Sequence, residues 1–153
     1  MSQIEVIVDQ LKRAFDGEAW HGPALMEILD GIDATTAAHP VSTAHSIWEL
    51  VLHVAAWESV VTRRIQYGKE LTLTDDENFG HIQRADEAAW LDAVQMLKKS
   101  HSELIEAVSG LSETKLSEQV PGKPYDILFM VLGTAQHAAY HGGQIALLKK
   151  FRA

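Results

Sequence analysis

Two histidines stand four residues apart in the segment HAAYHGGQ, where the residue pattern predicts a helix. At about 3.6 residues per turn, this spacing places the imidazoles of His137 and His141 on one face, one turn apart. Neutral imidazole nitrogens arranged in this way are ligands for zinc, nickel, copper or iron. The pair alone has a second interpretation, because surface helices also carry histidines at this spacing.

The surroundings of the pair favour a metal site. The apolar stripe of the predicted helix passes through the pair, and a buried imidazole without a partner is costly. His53 has a similar inward position on another predicted helix, one turn from Leu50 and Trp57. Three histidines would leave a coordination position for water or substrate, which is typical of catalytic zinc sites. The spacing by itself does not place His53 beside the other two.

The residues next to this pair on the predicted helix have small side chains or none. Ala138, Gly142 and Gly143 surround His141, and each glycine costs about 1 kcal/mol relative to alanine inside a helix. Either close helix packing or open space for a metal-bound ligand would compensate for this cost.

Apolar residues with a helical period predict the elements that carry these histidines. The first predicted helix begins at about Ile4 and ends near Gly17, and a short one runs from Ala24 to Leu29. The next runs to about Tyr67; either Ser42 or Thr43 can cap it, or Ser46 can form a capping box with Glu49. The last two run from about Arg84 to Val108 and from about Ile127 to Lys150. No alternating strand pattern competes with them. The sequence therefore predicts an all-α protein, a four-helix bundle with a short extra helix near the N-terminus, as a single domain of residues 1–153.

Two stretches without sustained periodicity, residues 68–83 and 110–125, are predicted to be long loops. Such loops in a compact domain are often functional or mobile, and substrate selectivity would reside in them. The acidic run 75–77 is interpreted as a solvated part of the first loop, because it lacks the spaced oxygen ligands and the glycine of an EF-hand.

Composition excludes several classes of function. The formal net charge of −8 opposes binding to nucleic acids and to anionic membranes. No segment approaches the roughly 20 apolar residues that cross a bilayer. Cysteine is absent, which excludes thiolate ligands and a cysteine nucleophile. The first residues lack a signal-peptide pattern, so the expected location is the cytoplasm.

The segments WHGPAL, SIWELVLHVAAWE and GTAQHAAYHGGQIALLKK resemble the DinB-like metal-binding superfamily, which includes the YfiT-type proteins. The resemblance covers nearly the whole chain, and its most specific part is HxxxHxxQ together with a midchain His before Trp-Glu. It implies a four-helix bundle with an up-down-down-up arrangement, often assembled as a homodimer. It also implies a zinc or nickel site with ligands at His53, His137 and His141.

Some members of that superfamily are thiol-dependent enzymes, such as bacillithiol S-transferases and mycothiol-dependent maleylpyruvate isomerase. The resemblance implies a metal-dependent transferase that activates a small thiol for attack on an electrophilic substrate; a hydrolase is the related possibility. No catalytic residue beyond the metal ligands is assigned. The alternatives are a non-catalytic metal-binding or ligand-binding bundle, and a dimeric structural protein whose histidines belong to the core.

Four further side chains could line a pocket or support the ligands: His21, Trp57, Tyr140 and Gln144. Gln144 could orient His141 through a hydrogen bond, or bond to a neighbouring helix instead. His21 is either a proton carrier at a pocket mouth or a local turn contact. The two aromatic residues line a pocket or belong to the core.

The remaining histidines and two glutamates have simpler expected roles. His101 is expected to be a hydrogen-bonded core residue, since it lies on the inward stripe of its helix. Exposed positions are expected for His39, His45 and His81. Glu49 and Glu58 are possible acceptors for an imidazole N–H, and Glu58 is expected to pair with a base or face solvent.

Overall fold

A computed structural model describes residues 1–151, and within that range it contains seven α-helices and no β-strand. The helices are α1 (Gln3–Asp16), α2 (Leu25–Leu29), α3 (Ala34–Ala38), α4 (Ile47–Tyr67), α5 (Asp75–Phe79), α6 (Glu87–Ser109) and α7 (Ile127–Lys150). A short 3-10 helix, Glu113–Ser117, precedes α7. The prediction of an all-α protein is confirmed, and α1, α4, α6 and α7 are the four long helices that periodicity indicated.

Side-chain caps fix where the long helices begin. Ser46 is the cap of α4: its hydroxyl accepts a hydrogen bond from the Glu49 N–H at 3.2 Å. The Glu49 carboxylate in turn accepts from the Ser46 N–H at 2.7 Å, which completes a capping box. At the other end Gly68 has the left-handed conformation, φ 57°, that favours glycine after a helix. Both ends of this histidine-bearing helix are therefore encoded locally.

The predicted long loops contain short helices, and the prediction of a continuous loop over residues 68–83 is wrong. Thr74 caps α5 in a capping box with Glu77, and the acidic run 75–77 is the exposed first turn of that helix. The 3-10 helix interrupts residues 110–125. A further short helix, α3, occupies part of the predicted connection between α2 and α4.

Two hydrophobic clusters form the core, and each draws on several helices. The first surrounds Trp48 of α4 and Trp90 of α6 and includes residues of α2, α3 and α7. The second surrounds Leu104 of α6 and Val131 of α7 and includes residues of α1. In this arrangement α4 packs against α5, α6 and α7, and α1 packs against α6 and α7. The helices that carry His53 and the His137–His141 pair are thus direct neighbours.

Buried polar side chains lie between the two clusters along the helices. Glu58 of α4, His101 of α6 and His141 of α7 are each buried there, and each has a hydrogen-bond partner. Burying a polar group is costly unless it is paired, so this level of the fold needs specific contacts.

Within residues 1–151, no helix combines the length and apolar character that crossing a membrane requires.

Candidate metal centre

Three imidazoles converge where α4 meets α7. Nε2 of His137 lies 3.0 Å from Nε2 of His53 and 3.1 Å from Nε2 of His141. His53 and His141 are buried, and His137 is half-buried. The potential ligand atoms of all three lie within 4.8 Å of one another. The structure thus brings together the three histidines that the sequence singled out, in a cluster that could bind a metal ion.

The other ring nitrogens of two histidines contact oxygen atoms. Nδ1 of His53 lies 2.8 Å from the main-chain carbonyl oxygen of Asn78, and Nδ1 of His141 lies 2.6 Å from Oε1 of Gln144. Because these oxygens only accept, each Nδ1 carries the hydrogen and donates, which leaves a lone pair on each Nε2. Both lone pairs face His137, whose Nε2 can donate to only one of them. Three neutral rings therefore cannot satisfy every contact by themselves.

A cation at the centre resolves this conflict, because it accepts a lone pair from each of the three Nε2 atoms. Zinc–nitrogen bonds of about 2.0–2.1 Å in tetrahedral geometry separate two ligand nitrogens by about 3.3 Å. The observed separations of 3.0 and 3.1 Å are close to that value. The donor set fits a divalent ion with three protein ligands and a fourth position for another ligand.

The protonation state of the cluster also suits metal binding. The pKa of His137 is lowered to about 3, mainly by burial and in addition by the charges that His141 and His53 would carry when protonated. Burial is also the main cause of the lowered pKa of His53 and of His141. Only neutral imidazole donates a lone pair to a metal, so the fold holds these rings in the ligand form near neutral pH.

The short helix α5 holds the His53 ring in place. Phe79 stacks on this imidazole with ring centroids 4.2 Å apart, next to the Asn78 carbonyl that accepts from its Nδ1. The Asn78 side chain accepts a hydrogen bond from Nε1 of Trp57 at 2.8 Å, which ties α5 to α4. Sequence reasoning missed both residues of α5 because a loop was predicted there. The T-x-x-E capping box that begins at Thr74 was the available signal.

Two cavities adjoin the cluster. His137 lines one of about 190 Å³ together with Trp57, and His141 lines another of about 480 Å³ together with Tyr140 and Gln144. His45 also lines the larger cavity, where its exposed ring stacks on Phe79 with centroids 3.6 Å apart. Ligands could reach the histidine cluster through either cavity. His45 is exposed as expected, but its position beside the site was not predicted.

Other candidate residues lie away from the cluster. His21 is exposed and lines a separate cavity of about 210 Å³ with Pro23 and Gly142. His101 is in the core, where Nδ1 contacts the Glu58 carboxylate at 2.9 Å. The exposed His39 and His81 have the expected solvent-facing positions.

The two glycines after His141 have different surroundings. A Cβ on Gly142 would lie 3.4 Å from Cδ1 of Ile28 and 3.9 Å from Cδ1 of Leu25, both on α2. Close helix packing therefore accounts for Gly142. Gly143 is exposed, and a Cβ there would meet no atom within 4 Å.

Replacing Gln144 by alanine is expected to weaken zinc binding by about 10–100-fold, because it removes the oxygen that fixes the His141 ring. Gln144→Glu keeps an acceptor at that position and should retain the affinity. Competition with a chromophoric chelator measures both variants. Gln10→Ala, an exposed glutamine on α1, is the matched control. Equal affinity in Gln144→Ala and the parent protein would contradict the role assigned to Gln144.

Comparison with known proteins agrees with this geometry. A family model for the DinB superfamily matches residues 19–145, a range that includes His53, His137 and His141. Searches of curated proteins and of solved structures found no match. The family match covers well over half of the chain and includes α4, α6 and most of α7. The chain belongs to the DinB superfamily.

Proposed function

We propose that this protein is a metal-dependent enzyme that binds zinc or nickel through His53, His137 and His141 and transfers a small thiol to an electrophilic substrate. The observation that carries the proposal is the convergence of three Nε2 atoms, two of which, those of His53 and His141, have lone pairs directed at His137 because their Nδ1 hydrogens are held by oxygen atoms. Three protein ligands leave a position for substrate, which is typical of catalytic zinc.

The chain's own side chains would orient the ligands and shape the substrate site. Asn78 and Gln144 hold two of the imidazole rings, which sets the direction of each Nε2 lone pair. Phe79 covers the His53 ring, and Tyr140 lies edge-on to His141 with ring centroids 5.0 Å apart. These apolar surfaces exclude water from part of the cluster, which strengthens electrostatic interactions inside it.

The absence of cysteine is compatible with thiol chemistry, because the nucleophilic sulfur would come from a cosubstrate. A divalent ion in this site would lower the pKa of a coordinated thiol, or of a coordinated water in the hydrolytic version. In the transfer reaction the sulfur forms a bond to the electrophilic carbon of the second substrate. The leaving group departs with its electron pair, and the thiol proton passes to solvent.

The test is turnover by zinc-loaded and nickel-loaded protein with a panel of thiols, including bacillithiol and glutathione, and a chromogenic alkyl or aryl halide. We expect a metal-dependent rate for at least one thiol, with loss of that rate after chelation and its return on reloading. His39→Ala is the matched control, because His39 is an exposed histidine that is not part of the cluster. Metal-loaded protein without turnover across the panel would contradict the transferase and leave metal or ligand binding as the function.

We also propose that the four long helices form a single-domain bundle with the up-down-down-up order, and that the protein is a homodimer. Helix α7 supports the dimer, because it is apolar on more than its buried side: Phe129, Tyr140 and Leu147 are exposed along one stripe. Contiguous exposed apolar surface often marks a protein interface. Sedimentation equilibrium should give a dimer that Leu147→Glu weakens; a monomeric parent protein would contradict this assembly.

A further inference from the structure

Arg64 of α4 is a buried arginine, with only 4% of its surface exposed. A guanidinium keeps its positive charge in proteins and offers five N–H donors. One Nη1 hydrogen goes to the Tyr125 hydroxyl at 3.2 Å, and one Nη2 hydrogen goes to the Leu71 carbonyl oxygen at 2.5 Å. The buried Nε has no partner. Three of the five N–H groups of Arg64 therefore have no acceptor in the part of the chain that the structure describes and are available to a ligand.

No carboxylate neutralises this charge within residues 1–151: every ion pair there involves other residues. A buried charge is normally paired, because removing it from water costs several kcal/mol that only a partner recovers. The Tyr125 hydroxyl and the Leu71 carbonyl are neutral acceptors, and Trp57 contributes a ring face 5.8 Å from the Arg64 Cζ atom. If Arg64 served only to hold Tyr125 and Leu71 against α4, its two hydrogen bonds would be explained, but its positive charge would remain uncompensated.

The same arginine lines the cavity of about 190 Å³ that His137 also lines. Tyr125 lies in its wall as well and accepts from Arg64, so the Tyr125 O–H remains available to donate into the cavity. Trp57 lies beside both Arg64 and His137, and its ring centroid is 6.5 Å from that of His137. The cavity thus has anion-binding donors in one part of its lining and a candidate metal ligand in another.

The rest of the cavity is apolar and unobstructed. Val61, Phe129 and Met130 supply carbon surface, and Gly133 leaves space where any other residue would place a side chain. A Cβ on Gly133 would meet no atom within 4 Å. Such a space suits a small organic molecule with one anionic group better than a fully hydrated inorganic ion.

We propose that this cavity binds the carboxylate group of a small organic acid substrate. The Arg64 guanidinium and the Tyr125 hydroxyl hold the carboxylate, since the planar fork of arginine matches its two oxygens. The carbon body lies against Val61 and Met130, and the reactive end points to the His137 edge of the cavity. The last point rests on the proposed metal-dependent function; the binding of a carboxylate does not.

Isothermal titration with benzoate tests the proposal on the protein as purified and again after removal of metal by chelation. Benzoate should bind in both states, and the neutral isostere benzamide should bind at least about tenfold more weakly. Arg64→Met should weaken benzoate binding at least about tenfold, because it keeps a flexible apolar stem and removes the donors. Arg63→Met, the exposed neighbour on the same helix, should stay within about twofold of the parent protein.

Gly133→Leu is a second variant that keeps Arg64 and fills the cavity. Leucine has a higher helix propensity than glycine, so this variant should fold. It should lose benzoate binding to the same extent as Arg64→Met. Circular dichroism verifies the helical content of both variants.

The outcomes separate this inference from the proposed function. Benzoate binding that depends on Arg64 in protein without metal or turnover would support the carboxylate site while the proposed function fails. Metal binding and thiol turnover, with benzoate binding that is absent or equal in the parent protein and Arg64→Met, would overturn the inference alone. Binding of sulfate but not benzoate, or binding only while metal is present, would also overturn it.

Discussion

Replacing His137 by alanine is expected to reduce the metal content of the purified protein from roughly one ion per chain to background. Its Nε2 lies at the centre of the cluster, 3.0 Å and 3.1 Å from the other two Nε2 atoms. Without it, His53 and His141 supply only two nitrogens. Losing a direct ligand should weaken zinc binding by more than about 100-fold, the upper range for removing a group that merely supports a ligand.

Elemental analysis of untagged protein measures this effect, with His39→Ala as the matched control because His39 is an exposed histidine. Metal should also stabilise the parent protein against unfolding, by about 2.7 kcal/mol when the free ion is at 100 times its dissociation constant. Chelation should remove that stabilisation from the parent protein and have no effect on His137→Ala. Equal metal content in the parent protein and His137→Ala, even after reloading, would exclude the three-histidine centre.

Local patterns were sufficient to predict the parts of this site that lie on one helix. The four-residue spacing of His137 and His141 placed both rings on one face of α7, and the structure has them 3.1 Å apart. The capping box of Ser46 with Glu49 was one of the starts that the sequence offered for α4, beside caps at Ser42 or Thr43, and it is the start that the structure has. Both signals depend only on helix geometry and on groups within one turn, so they can be recognised without knowledge of packing.

The remaining parts of the site depend on how helices pack. His53 joins the pair because α4 lies beside α7, which no spacing within either helix specifies; only the family resemblance implied it. Asn78 binds His53 through its main-chain carbonyl, a group that every residue possesses. Its helix, α5, has five residues, too few for a hydrophobic period to be recognised. The capping box that begins at Thr74 could have indicated α5 itself, but no residue-type pattern indicates these contacts.

The position of Arg64 in the sequence was a signal of a functional site that the sequence-based prediction did not use. It lies three residues after Val61 and seven after Trp57, so helix geometry places it on the inward face of α4. A charged residue on an apolar stripe indicates either a partner or a ligand, since its burial alone is unfavourable. The structure confirms that it is buried and adds the cavity that it lines.

Glu58 holds together a buried polar contact that is separate from the metal centre. Its carboxylate accepts from Nδ1 of His101 at 2.9 Å and from Oγ of Ser100 at 3.2 Å, which links α4 to α6. The His101 ring also stacks on Phe15 of α1, with centroids 3.7 Å apart. Only 1% of Glu58 is exposed, so no solvent can replace the contacts of this carboxylate. The Glu58 carboxylate therefore links α4 directly to α6, and through the His101 ring it also connects to α1.

Replacing Glu58 by alanine is expected to lower the free energy of unfolding by roughly 3–5 kcal/mol, because the buried Nδ1 of His101 would lose its acceptor. The Ser100 hydroxyl would keep the Leu97 carbonyl oxygen, at 2.9 Å, as its acceptor. This is a large fraction of the 5–15 kcal/mol typical of a folded domain. It corresponds to a fall in Tm of roughly 6–20 °C. Urea unfolding measures it, with Glu103→Ala on the surface of α6 as the control, expected within about 0.5 kcal/mol of the parent protein.

A double-mutant cycle with His101→Leu distinguishes a paired contact from simple loss of packing. If the two side chains stabilise each other, removing both should cost less than the sum of the single changes, by about 1–3 kcal/mol. Folded Glu58→Ala should still bind metal, because none of the three cluster histidines contacts Glu58. Additive single changes, or a Glu58→Ala effect no larger than that of Glu103→Ala, would show that the pair contributes little to stability. In that case the polar level between the two hydrophobic clusters would be held by packing alone.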